Sequence, residues 1–275
     1  MYTKIFLDSG DPQETKETLK VLGQLDGQTT NPSLIAKNPQ AQGKKFSTKE
    51  VYAFYKKVVE EISGLIPQGS VSVEVYADKT TSVATMVNQA QEMNAWIPNA
   101  HIKLPITRNG LETAGILVKE GIKVNMTLCF TQEQAAAVYE VTKGAKKGDV
   151  FISPFIGRLD DKGINGLDLI KNCLEMFKTS DGHVEVLAAS TRNLYHHLAC
   201  LEMGVDIVTS PLTILKQWSE IKSLAYEKID LDKSWTEYNL NHPLTDTGID
   251  KFCTDWNQMI EQVEPEGLEP STSSM

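Results

Sequence analysis

Two hydrophobic periods alternate along the chain. Short apolar runs recur eight times, at residues 4–8 (KIFLD), 24–30 (QLDGQTT), 70–78 (SVSVEVYAD), 101–105 (HIKLP), 121–128 (GIKVNMTL), 149–153 (DVFIS), 184–190 (VEVLAAS) and 205–210 (VDIVTS). Their length and β-branched content predict strands. Helix start and stop signals fill the intervals. Asp11, Pro12 and Glu14 read as N-cap, first-turn proline and capping-box acid, and Gly23 as the terminator. Ser47 with Glu50 and Thr131 with Gln134 open two further helices, while Gly121 and Gly204 mark helix ends. Eight strand–helix alternations predict a (β/α)8 TIM barrel rather than a doubly wound sheet. No G-x-G-x-x-G follows the first strand, which weakens a dinucleotide-binding fold further. A weaker helical pattern at 247–263 adds a C-terminal helix, so one barrel domain is expected over residues 1–263. The polar end, residues 264–275 (EPEGLEPSTSSM), has no apolar periodicity and reads as a disordered tail.

In a parallel barrel, outward positions meet helices and inward positions alternate with them; polar residues near a strand's C-terminal end face the mouth, where active sites form. Val71, Val73 and Val75 share one face, which leaves Ser72, Glu74 and Tyr76 inward. Ile122, Val124 and Met126 pack outward, leaving Lys123, Asn125 and Thr127 inward. The same count turns Lys103 inward with His101, Asp8 with Phe6, and Ser153 with Phe151. A single inward lysine or glutamate is as readily half of a structural buried pair as a functional group. Convergence from five strands is harder to explain that way. Lys123 lies at the start of its strand, near the stability face, and is read as structural.

Composition narrows the partners. A formal charge of -9 and the lack of any basic block argue against nucleic acid, because a nucleic-acid binder needs a basic face for phosphates. No apolar run approaches the roughly 18 residues of a membrane span, and the first residues have no signal-peptide core, so a cytoplasmic protein is expected. The four cysteines lie far apart and read as thiols of a reducing compartment. A small phosphate ester is still compatible with this charge, held by a few local cations.

A lysine between apolar neighbours is expected to lose charge more easily and to supply the neutral amine that attacks a carbonyl, forming a Schiff base. Such chemistry next needs carboxylates, one to take the proton of the hydroxyl whose carbon leaves and one to handle water. Asp8 and Glu74 supply them, Thr127 is placed to hold a water, and Asn31 and Asn125 to bond substrate hydroxyls. This is class I aldol chemistry and calls for no cofactor or metal. No metal motif is present, since His196 and His197 are adjacent and diverge on a helix. Late in the chain, Arg158 follows SPFIG, and Ser190 and Arg192 sit where the seventh strand yields to a helix. That position is a recurrent phosphate site in this architecture.

Seven segments in order, LDSGD (7–11), TTNPSLI (29–35), SVEV (72–75), IKLPIT (102–107), VNMTLCF (124–130), ISPFIGRLDD (152–161) and ASTRN (189–193), resemble the transaldolases over roughly residues 4–262. The resemblance implies transfer of a dihydroxyacetone unit from a ketose phosphate, such as sedoheptulose 7-phosphate or fructose 6-phosphate, to an aldose phosphate, glyceraldehyde 3-phosphate or erythrose 4-phosphate, in the non-oxidative pentose phosphate pathway. It makes Lys103 the Schiff-base lysine, Asp8 the proton acceptor in C–C cleavage, and Glu74 with Thr127 the pair that activates a water. Thr29, Asn31, Asn125, Ser153 and Phe155 fall at substrate-site positions; Ser190, Arg192 and Arg158 are assigned the phosphate. Thr191 stands where many members carry an aromatic residue. The fructose 6-phosphate aldolase branch, which releases free dihydroxyacetone, resembles this barrel but has a glutamine at the position of Glu74 and a tyrosine at that of Phe155. A non-catalytic sugar-phosphate-binding barrel is the remaining alternative. Sugar phosphates are therefore the expected partners; self-association into a homo-oligomer is an expectation from barrels of this kind and not from any residue pattern.

Overall fold

The computed structural model describes residues 2–222 and 227–263. The tail at 264–275, read as disordered, lies outside the described residues. The chain divides between Lys222 and Ser223 into two compact units.

The first unit is built on eight parallel strands: β1 (Lys4–Asp8), β2 (Gly27–Thr29), β3 (Ser70–Glu74), β4 (Ala100–Pro105), β5 (Val124–Cys129), β6 (Val150–Pro154), β7 (Val184–Ala188) and β8 (Ile207–Ser210). They pair in sequence order, and β8 closes on β1. The helices are α1 (Pro12–Leu22), α2 (Pro32–Lys37), α3 (Thr48–Leu65), α4 (Val83–Asn94), α5 (Arg108–Lys119), α6 (Gln132–Val141), α7 (Ile156–Asp160), α8 (Gly166–Phe177), α9 (Leu194–Met203) and α10 (Leu212–Ser219). This is the (β/α)8 barrel that the alternation predicts. The second unit holds a 3-10 turn, Trp235–Glu237, and α11 (Pro243–Val263), the predicted C-terminal helix with four more residues at its start.

Capping follows the sequence with one change. Ser47/Glu50 and Thr131/Gln134 form reciprocal capping boxes, and Gly23 and Gly204 take left-handed conformations at helix ends. Glu14 does not reach back to Asp11. Its carboxylate accepts from the Ser9 hydroxyl, which itself accepts from the Asp11 N–H, so a serine intervenes in the expected box. The third strand also stops early, at Glu74 rather than at 78. Asp78 accepts from the Thr80 N–H in a tight turn, and Tyr76 is 61% exposed instead of facing inward.

An apolar cluster lies inside the barrel below its polar mouth. Phe6, Phe151, Leu187 and Ile207 fill the lower interior, with Phe6 edge-on to Phe151 at 6.0 Å and His101 stacked on Phe151 at 4.0 Å. Each buried ring contributes on the order of 2 kcal/mol. Burial lowers the His101 pKa to about 3, and the ring bonds Ser70 and the Gly148 carbonyl as a neutral group. Position 27 must be glycine, because a Cβ there would stand 2.5 Å from the Phe6 ring. Outward, Val71, Val73, Ile102, Leu104, Val124, Met126 and Ile152 pack under the helices, so the strand parity read from sequence holds. Lys123 precedes β5 and lines a cavity at the floor end with Lys4 and His101, away from the mouth.

Candidate active site

Register places three functional side chains next to one another: Glu74 pairs with Lys103, and Lys103 with Asn125. All three are inward positions, so they form one row across β3, β4 and β5. Lys103 is only 3% exposed. Its Nζ lies 3.1 Å from Glu74 Oε2 and donates to the Thr30 carbonyl at 3.3 Å. The expected apolar walls are thus replaced at the amine by an acid and a carbonyl; Ile102 and Leu104 face the opposite side of the strand and never touch it.

Glu74 and Thr30 are themselves held. The Tyr55 hydroxyl accepts from the Glu74 N–H at 2.8 Å and pairs with Thr30 Oγ1 at 2.6 Å, while Thr30 Oγ1 donates to the Ser72 carbonyl. Burial raises the Tyr55 pKa, so the phenol keeps its proton and donates it to Thr30. In the sequence Tyr55 looks like one more core residue on α3, with no local signal of this contact.

A cavity of about 200 Å³ opens above Lys103. Asp8 and Thr29 form one side of it. Thr29 Oγ1 donates to Asp8 Oδ1 at 2.7 Å and lies 2.7 Å from Thr209 Oγ1. One hydroxyl proton serves one acceptor, so Thr209 donates to Thr29 and completes a relay that fixes the Asp8 carboxylate. Burial raises the Asp8 pKa, opposed by the Lys103 ammonium, the Thr29 hydrogen bond and the Lys37 ammonium in that order.

Asn31 caps α2 with its carbonyl oxygen, accepting from the Leu34 N–H, and offers its amide N–H groups to the cavity. Ser33 and Lys37 project from the same helix onto the wall. The sequence carries no local signal for either, since a lysine eight residues past the start of TTNPS reads as a solvated helix surface. On the far side stand Ser153, Phe155, Arg158, Ser190 and Arg192. The Arg158 guanidinium sits 5.0 Å from the Phe155 ring centre, and Arg192 pairs with Asp161. Ser190 has a left-handed backbone (φ 59°), and its carbonyl accepts from the Gly157 N–H.

Three of the predicted residues are not on the wall of this cavity. Asn125 is fully buried beneath it, with its amide donating to Ser72 Oγ and its oxygen accepting from Ser153 Oγ. Of these two serines, Ser153 lines the cavity. Thr127 is also buried, and its Oγ1 has no hydrogen-bond partner among the described residues. Glu74 meets Lys103 on one side and an adjoining groove of about 810 Å³, walled by Phe46, Phe54 and Tyr76, on the other. Among the described residues no group of three His, Cys, Asp or Glu is placed to hold a metal ion, and no helix is long and apolar enough to cross a membrane.

An inward lysine with a carboxylate in contact and a second carboxylate across the cavity can exchange protons with a bound carbonyl compound, and the arginines opposite can bind an anion. Comparison with known proteins agrees in kind. A probable transaldolase of Dehalococcoides mccartyi is 38% identical over 256 residues, covering 93% of this chain and 99% of that protein. One of Methanococcus maripaludis is 38% identical over 92% of this chain and 97% of its own, and one of Brucella ovis 38% identical over 94% and 99%. Among solved structures, a thiamine phosphate pyrophosphorylase from Pyrococcus furiosus matches at TM-score 0.50 and 14% identity, covering 78% of this chain and 87% of that one, a likeness of fold alone. The model of the transaldolase/fructose-6-phosphate aldolase family matches residues 5–263, and the chain belongs to that family of enzymes.

Proposed function

We propose that the protein is a transaldolase that carries a dihydroxyacetone unit on Lys103 from a ketose phosphate to an aldose phosphate. The observation that carries this reading is the buried Lys103 amine in contact with Glu74 at 3.1 Å, below the cavity that Asp8 lines. The ammonium first gives a proton to Glu74, and the neutral amine adds to the C2 carbonyl of the ketose. Glu74 then returns a proton to the carbinolamine hydroxyl, which leaves as water, and an iminium forms. Thr127, with its unclaimed hydroxyl, is suited to hold that water. Next the C3–C4 bond breaks. Its electron pair moves into the iminium to give an enamine, and Asp8 takes the C4 hydroxyl proton as the aldehyde departs. Attack of the enamine on the acceptor aldehyde forms the new C–C bond, Asp8 returns the proton to the new hydroxyl, and water hydrolyses the iminium.

Phe155 favours transfer over release. Its ring has no proton to give the enamine, so the three-carbon unit waits for an aldehyde. Arg158, Arg192 and Ser190 are assigned the substrate phosphate, and Asn31 with Ser153 the hydroxyls of the three-carbon unit. The test is acceptor dependence: with fructose 6-phosphate alone the enzyme should release little dihydroxyacetone, and erythrose 4-phosphate should start turnover. Rapid release without acceptor would make it an aldolase. Failure of borohydride to fix the three-carbon fragment on Lys103 would remove the Schiff base altogether.

A further inference from the structure

We infer that His196 is a positioning residue for phosphate recognition: its ring ties the Arg192 backbone to Asp160, so that the cation of the phosphate site is held in place before substrate arrives. This rests on the proposal above that Arg192 binds the sugar phosphate.

His196 is 6% exposed on the first turn of α9. Its Nδ1 accepts from the Arg192 N–H at 3.4 Å, and its Nε2 lies 2.8 Å from Asp160 Oδ2. An accepting Nδ1 puts the ring proton on Nε2, where the carboxylate takes it. The other oxygen of Asp160 accepts from the Gly166 N–H at 2.9 Å, which fixes the carboxylate at the start of α8. The ring therefore joins the loop after β7 to the connection after β6, the two segments that carry Arg192 and Arg158.

Other contacts in this region restrain the same arginine. A Cβ on Gly157 would stand 2.7 Å from Arg192 Nε and 2.8 Å from its Cδ, so the arginine stem lies directly on the glycine backbone. Asp161 pairs with the guanidinium. Asp161 thus holds the Arg192 side chain directly, and Asp160, its neighbour in sequence, holds the main chain through His196. A guanidinium has five N–H donors, so Asp161 leaves several for a phosphate.

The plainer reading is a helix cap. Asn193 caps α9 by accepting from the His196 N–H at 2.8 Å, and a side chain at this position that reaches back is a variant of the capping box. A cap needs only an acceptor, however, and it does not need a buried donor engaged with a carboxylate in another loop.

The experiment compares glyceraldehyde 3-phosphate with unphosphorylated glyceraldehyde as acceptors, at saturating donor, in the wild type, His196→Leu, His196→Gln and Arg192→Ala. In His196→Leu the preference in kcat/KM for the phosphorylated acceptor should fall about tenfold, the size expected for loosening one charged contact. Most of that loss should be in KM, and His196→Gln, which can accept and donate at once, should restore most of it. Equal losses with both acceptors would make His196 a cap and overturn the inference. If Arg192→Ala abolishes the preference and His196→Leu leaves it intact, only the positioning role fails. If Arg192→Ala leaves it intact, the phosphate assignment fails and takes this role with it. Should His196→Leu not fold, imidazole nitrogen NMR of the wild type decides: a proton on Nε2 with a hydrogen-bonded Nδ1 is expected, and the reverse tautomer would overturn the inference.

Discussion

The side-chain nitrogen of Lys103 stands 3.1 Å from Glu74 Oε2, and the two residues face each other across neighbouring strands in register. A buried pair of this kind is costly to assemble and more costly to leave half made. Here the barrel fixes both partners, the lysine through the Thr30 carbonyl and the glutamate through Tyr55. On the proposed route the arrangement gives the amine a proton acceptor already in contact with it.

Glu74→Gln should therefore separate binding from chemistry. The amide still fits beside Lys103 but cannot take a proton from the ammonium or return one to a leaving hydroxyl. On the proposed route kcat falls roughly 10²-fold or more, the usual contribution of a positioned acid–base group. The rate at which borohydride traps the three-carbon adduct, followed by intact mass, should fall with it. A trapping rate equal to that of the wild type would show that Glu74 has no part in imine formation.

On the proposed route Asp8 sets the acid limb of activity. Burial raises its pKa above the ordinary 3.8, and only the ionised form can accept the C4 hydroxyl proton. As pH falls through that raised value the base is lost, so kcat/KM should decline at a pH above the usual aspartate range. Lys37 works against the shift, since its ammonium stabilises the carboxylate through space. Lys37→Ala should move the limb to still higher pH, in a pH–rate profile taken with an unphosphorylated acceptor. A limb that does not move, or moves down, would exclude the electrostatic link.

Much of this site is legible in the sequence, for a physical reason. Strands buried on both faces are mainly apolar, so each inward polar residue stands out against period two, and Glu74, Lys103, Asn125 and Thr127 are placed by that count alone. The resemblance to transaldolases then supplies the roles expected of them. Other features depend on contacts between segments far apart in the chain and have no local pattern. Thr209 reads as an ordinary strand threonine until the barrel closes and brings it to Thr29, and Lys37 as a surface lysine until α2 folds over the mouth. Alternation places Tyr76 inward because it carries no signal for where a strand ends; Gln89 instead accepts from its N–H at 3.0 Å and holds the exposed turn. His196 carries no local signal beside His197, and the two hydrogen bonds of its ring emerge only once the loops after β6 and β7 come together.

The raised pKa of Asp8 also has a consequence for stability. A carboxyl whose folded pKa lies above its unfolded value stabilises the fold below the unfolded pKa, and that contribution is lost as pH rises through the folded pKa. At neutral pH the wild type carries the cost of an ionised, part-buried carboxylate. Asp8→Asn removes the charge and keeps an oxygen for the Thr29 hydroxyl, so it should be inactive yet melt at a higher temperature than wild type at pH 7. The gap should close as the pH approaches the ordinary aspartate value. A variant less stable than wild type at pH 7 would mean that the Asp8 charge is better compensated than its surroundings indicate.

Thr127 offers the clearest separation of fold from function. Its hydroxyl is buried with no protein partner, so replacing it by a methyl group of the same shape forfeits no hydrogen bond and is expected to be neutral or slightly stabilising. Most buried threonines here would behave differently; Thr15, for example, donates to the Gln28 amide oxygen at 2.7 Å, and its loss would leave that oxygen unpaired. Thr127→Val should thus melt within a few degrees of wild type, while kcat falls by one to two powers of ten if the hydroxyl holds the water exchanged at the iminium. Thr127→Ser, which keeps the oxygen, should retain most activity. Equal activity in the valine and serine variants would assign the hydroxyl no role, and a large loss of melting temperature in the valine variant would show that it has a partner the fold conceals.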